Sequence, residues 1–311
     1  MTNRDNCVDI AKGICILLIV CIHTELFTIV HNPFTFIAVP MFFFMSGFFD
    51  HSERLYKTWI FNTSKSLILP AIIWCSLGML YTFILQTLKG ETYRPEISIY
   101  NPCVGNGPAW FLFALFYVKI ITSVLERFKI NKYIYIIIIF ILGYVGSTYQ
   151  MPLLTDEGLA ATPIYILGKK VYPDINKYKD NIYYNIIGII SILSVIMGYV
   201  YYTIVPLANG CYTPMYIISI LVIFFTFIPM LSLTKYLSYV SILSEFGKNS
   251  LGIMLLHAPM CHTAAAILNR LFEKGSTYWI ICFIVAYIII VCISLFISKI
   301  IIKHCSLLYG K

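Results

Sequence analysis

The chain has 311 residues, 59% of them hydrophobic and only 12% charged, with a formal net charge of +8 and a mean hydropathy of +0.83. A soluble domain carries about 25% charged residues, so these proportions exclude a water-soluble globular protein. They predict an all-α polytopic bundle, a single domain over residues 1–311 set in a lipid bilayer, with the positive charge reporting topology rather than a nucleic-acid partner.

Apolar runs of about 20 residues can cross a bilayer. In chain order they fall at 9–30, 35–50, 67–87, 109–126, 133–150, 158–170, 183–203, 213–234, 249–268 and 278–302, which makes about ten spans. The N-terminal M-T-N-R-D-N-C runs straight into the first of them with no A-x-A-like site, so no cleaved signal peptide is expected. The sixth run is short and contains Pro163 and Gly168, which predicts a tilted or broken helix buried among the others.

Charge supports this count. With the N-terminus cytoplasmic, the outer loops hold only Lys89, Arg94, Arg270 and Lys274, and Lys119 lies within a span. Every other Lys and Arg falls on the cytoplasmic side, as the positive-inside rule requires, and both termini are then cytoplasmic. Dropping the sixth run would invert everything after it and place Lys235, Lys248, Lys299 and Lys303 outside. Most of the 10 cysteines lie in apolar runs, where Cys acts as a small hydrophobe. No zinc-like spacing occurs and no metal is expected. Cys103 and Cys211, both in outer loops, could pair there if that face is oxidising.

The first run carries Lys12 near one end and His23 deep along it. Eleven residues at 100° each bring both to the same helix face, about 16 Å apart along the axis. Ionisable groups in hydrocarbon cost roughly 2.5–3.5 kcal/mol each, so a pair on one face points to a site reached from two depths. A neutral imidazole suits a general base acting on a hydroxyl. Lys12 suits an anionic group, and Asp9, one turn earlier, can orient or neutralise it. The bland alternatives are a snorkelling lysine and a histidine bonding a neighbouring helix. Glu25 lies about 200° around from His23, so it is read as a possible acceptor-side residue rather than the partner of His23.

The second run, V-P-M-F-F-F-M-S-G-F-F, reads as an aromatic span with Ser46-Gly47 as a small-residue helix contact. Arg54 and Lys57 follow in a basic cluster. Later candidates are Trp110 as packing or an interfacial anchor, Lys119 as a snorkelling or phosphate-binding group, and His257 in mid-span. Glu245 and Asn249, at the start of the ninth run, are weaker ones. A G-x-S-x-G nucleophile motif is absent.

Five segments occur in order: D-x-x-K-G followed by the apolar run to His23; V-P-M-F-F-F-M-S-G-F-F; P-A-W-F-L-F-A-L-F; L-A-A-T-P-I-Y-I-L-G-K-K; and F-G-K-N-S-L-G-I-M-L-L-H-A-P. Together they resemble the integral membrane acyltransferase family, acyltransferase family three, and within it the bacterial polysaccharide O-acetyltransferase branch. The resemblance spans nearly the whole chain. Lys12 and His23 match the family's basic residue, ten residues, then histidine, with Lys where Arg is commoner and so without the bidentate fork. The H-A-P at His257 is similar to the family's H-x-P.

The resemblance implies a multi-pass protein of the bacterial inner membrane that uses acetyl-CoA as acyl donor. The donor would sit on the cytoplasmic side near Lys12, Arg54 and Lys57, and the acceptor would be a hydroxyl of a surface glycan or its lipid-linked precursor. His23 would act as general base or carry the acyl group, with Lys12 and Asp9 beneath it and Ser46, Trp110, His257 and Glu25 in support. Two other readings of the residues stay open: a transporter or flippase, in which buried charges line a substrate path, and a scaffold in which Lys12 and His23 merely pair helices.

Overall fold

The computed structural model describes residues 6–24, 33–50, 57–128, 130–171, 181–201, 225, 227, 229, 231–234, 236–237 and 239–310, and nearly all of these are helical. The helices are α1 (Asn6–His23), α2 (Pro33–Phe48), α3 (Lys57–Leu88), α4 (Trp110–Arg127), α5 (Lys132–Thr148), α6 (Thr155–Val171), α7 (Ile182–Tyr201), α8 (Ser241–Lys248), α9 (Ser250–Leu271) and α10 (Thr277–His304). A short 3₁₀ turn, Gly107–Ala109, leads into α4, and another, Ser306–Tyr309, follows α10. Among the described residues, α1, α3, the stretch Gly107–Arg127, α9 and α10 are long and apolar enough to cross a membrane. Shorter apolar helices cover Ala38–Phe48 and Lys132–Thr148.

Two helices depart from the predicted runs. The first begins at Asn6 and ends at His23, and residues 25–30 of its run lie outside the described residues. Both the amide and the hydroxyl of Thr24 donate to the Cys21 carbonyl and close the last turn, so His23 sits at a helix end. The third helix begins at Lys57, ten residues before its apolar run, and extends over 32 residues. Its polar first turns need no apolar surroundings to stay helical, and at 1.5 Å per residue it is about 48 Å long, well beyond a hydrocarbon core of about 30 Å. The predicted span at 213–234 falls largely outside the described residues.

Helix α6 is continuous through Pro163 and packs among α2, α4 and α5. A proline removes one backbone donor from its helix, here the one that would meet the Leu159 carbonyl, and beside it the Thr162 hydroxyl donates to the Gly158 carbonyl at 2.8 Å. Glycines set the closest approaches between helices. A Cβ on Gly13 would overlap the Leu243 carbonyl and one on Gly247 that of Asp9, so α1 and α8 touch backbone to backbone. Gly47 meets the Tyr165 carbonyl and Gly168 that of Phe44, joining α2 to α6 in the same way. The core between these contacts is aromatic and sulfur-rich, with Met41, Phe43, Phe44, Met45 and Tyr165 fully buried.

Candidate active site

Helix α9 packs on α1 and meets Lys12 and His23. Its first residues, Ser250 to Gly252, share a cavity with Lys12, and about two turns further on His257 meets His23. The two imidazole rings lie 4.9 Å apart, edge to face. His257 is fully buried, and its Nδ1 lies 3.0 Å from the Ile253 carbonyl oxygen. A carbonyl only accepts, so this nitrogen carries the proton and Nε2 presents a lone pair. Among the described residues that Nε2 has no hydrogen-bond partner.

His23 stands where two cavities meet. Towards the end of α1 lies a polar cavity of about 680 Å³, lined by His23, Trp110, Gln150, Asp156, Glu157 and His262 among others. That size falls within the range of small-molecule sites, roughly 300–1,000 Å³. Below His23 lies an apolar cavity of about 40 Å³, walled by Ile19, Val39, Phe42, Trp110, Phe111 and Met254, room for a group of only a few atoms. Trp110 lines both and packs against Phe43 and Phe111, so it belongs to the site as well as to the packing.

The opposite end of α1 is built differently. Lys12 sits over the Phe49 ring, 5.2 Å from its centre. It lines a cavity of about 210 Å³ with Lys248, Asn249, Ser250, Gly252 and Tyr309. Two ammonium groups, an amide and the first turn of a helix form a donor-rich, positively charged set that suits a phosphate. Asn249 is steadied by its own donation to the Glu245 carbonyl, at 2.8 Å. Glu245 is held by Lys299 at 2.8 Å and Lys248 at 3.1 Å, and these ammonium groups, Lys299 first, keep its carboxyl below the usual carboxylate range.

The other expected residues fall as follows. Asp9 is buried in the first turn of α1, where its backbone meets Gly247. Ser46 donates its hydroxyl to the Phe42 carbonyl at 2.6 Å and is not among the residues lining either His23 cavity, so it offers no oxyanion donor there. Lys57 is exposed at the start of α3. Arg54 and Glu25 lie outside the described residues. Lys119 interacts with Asp50, which with Glu126 also pairs with Lys169 at 3.4 and 2.8 Å. Cys103 is buried beside Cys75, and Cys211 is outside the described residues.

The lining residues not anticipated include His262, Asp156 and Glu157. Five residues from His257, His262 is about 140° around an ideal helix, so periodicity did not group the two. Asp156 and Glu157 occupy the first turn of α6, where acidic residues are ordinary partners of a helix N-terminus. Their burial, 5% and 6% exposed, is visible only in three dimensions.

A family model described as an acyltransferase domain matches residues 5–298. No curated protein and no solved structure matches the chain.

Proposed function

Because the chain belongs to acyltransferase family 3, we propose that this membrane acyltransferase moves an acetyl group from acetyl-CoA to a hydroxyl of a glycan or its precursor, in a bacterial inner membrane. The observation that carries the reading is the position of His23 between a polar cavity sized for a sugar and a small apolar one. The acceptor hydroxyl enters from the polar side. The acyl methyl group rests among Ile19, Phe111 and Met254 on the other.

His23 takes the hydroxyl proton as the oxygen attacks the thioester carbonyl carbon. The C–S bond breaks, and the imidazolium returns its proton to the departing thiolate. Both reactants reach His23 at once from separate cavities, which favours direct transfer over an acyl-histidine intermediate. The Lys12 cavity, with Lys248 and Asn249, is the candidate seat for a phosphate of the donor on the cytoplasmic side; Lys57 and Arg54, which follow α2 in the sequence, are further candidate cations. Asp9, buried in the turn before Lys12, fixes the backbone that carries it.

The test is a His23→Ala variant, checked for normal insertion and supplied with radiolabelled acetyl-CoA in isolated membranes. General-base catalysis contributes about 10²–10⁴-fold, so labelling of membrane glycan should fall by that factor. Full labelling by the variant would overturn the assignment.

A further inference from the structure

We propose that Asp156 and Glu157 form the recognition element of the acceptor cavity and select an uncharged or amino-bearing polyol against an anionic sugar. This rests on the reading of the polar cavity as the acceptor site and names the class of acceptor it takes.

Both side chains are more than nine-tenths buried, and both line the cavity. Asp156 Oδ1 and Glu157 Oε2 have no hydrogen-bond partner among the described residues. Buried polar atoms are nearly always satisfied, and one left unmade costs about 1–3 kcal/mol. Two adjacent carboxyl groups that line one cavity, each with an oxygen left without a partner, are therefore groups kept for a ligand.

Carboxyl oxygens ask for donors. A vicinal diol supplies two hydroxyl donors, and an amino sugar supplies an ammonium. A uronate or phosphate brings further acceptors and negative charge into a confined, poorly solvated space. Among the described residues no Lys or Arg lines this cavity to offset it. The basic side chains described there are the imidazoles of His23 and His262, and His23 must stay a base for transfer. Like-charge juxtaposition of this kind discriminates by exclusion.

The experiment reads sugar binding without any donor, so it fails or succeeds independently of the acetyl-transfer test. Purified protein in detergent is titrated with methyl glucoside, methyl glucosaminide and methyl glucuronide. Binding is followed by tryptophan fluorescence, since Trp110 lines the cavity. The glucoside and the glucosaminide should bind at least tenfold more tightly than the glucuronide. In the Asp156→Asn, Glu157→Gln double variant, isosteric and verified by an unchanged thermal transition, that ratio should collapse towards one. Absence of selectivity in the wild-type protein, whether all three glycosides bind equally or none does, overturns the proposal. So does selectivity that survives the double substitution.

Discussion

At the scale of single residues, the proposed transfer makes the small cavity under His23 the seat of the acyl group. Met254 and Phe111 wall it, and its space of about 40 Å³ favours an acetyl group over a longer acyl chain. Met254→Ala should therefore admit propionyl-CoA and butyryl-CoA. One methylene in an apolar pocket is worth about 10–200-fold, so the acetyl-to-butyryl preference should drop by at least tenfold when the three thioesters compete. His257 acts one step back, as a positioning residue. Its ring stands edge to face against that of His23, 4.9 Å away, and limits how that imidazole can turn. His257→Ala removes that ring. It should lower kcat by about tenfold with little change in KM, the signature of an interaction realised in the transition state, and His257→Phe, which restores a ring, should recover part of the loss. A rise in KM alone would show that the ring only fills space. His23 was legible because helical periodicity ties it to Lys12. Asp156 and Glu157 were not, because their first-turn position in a helix has an ordinary explanation and only packing reveals their burial.

At the scale of elements, the short helix α8 locks the Lys12 cavity in place. Gly247 presses on the Asp9 carbonyl of α1, and Glu245 reaches Lys299 on α10. Gly247→Ala must push α1 and α8 apart, and overpacking of this sort costs about 1–3 kcal/mol. It should lower the thermal transition and weaken donor use more than acceptor binding, measured by separate titrations. The Glu245 cluster carries a pH signature. Its carboxyl titrates below the ordinary value when folded, so its stabilisation is present above the ordinary carboxylate range and fades as pH falls through the folded value. Glu245→Gln should lower the transition slightly at neutral pH and match the wild type in acid, with a small, salt-sensitive difference because the pair is more than a third exposed. The F-G-K-N-S segment was legible as the approach to a span but not as a wall of the Lys12 cavity. Hydropathy registers where a chain enters the membrane, whereas a glycine's contact depends on which helix arrives opposite it. The same limit explains α3, whose polar first turns lie outside any apolar window yet continue the helix.

At the scale of the whole molecule, the two cavities open at opposite ends of one bundle, and their chemistry differs in sign. The Lys12 end gathers Lys12, Lys248 and Lys299, and the His23 end gathers Asp156 and Glu157. An anionic donor and a donor-rich acceptor would thus be drawn to different faces and meet only at His23. This arrangement requires the bundle to be inserted with the lysine end in the cytoplasm, as the positive-inside pattern of the loops indicates. The chain offers markers at both ends: Lys274 in the turn between α9 and α10, and Lys303 in the last turn of α10. The native cysteines would report in their own right, Cys292 and Cys305 being exposed and Cys211 falling in an expected outer loop, so all 10 are first replaced by serine. In that background, Lys274→Cys should react with a membrane-impermeant maleimide on intact cells. Lys303→Cys should react only after permeabilisation. The reverse pattern would put the phosphate-suited cavity on the side where a coenzyme A thioester is not supplied, and the division of labour between the two ends of α1 would have to be abandoned.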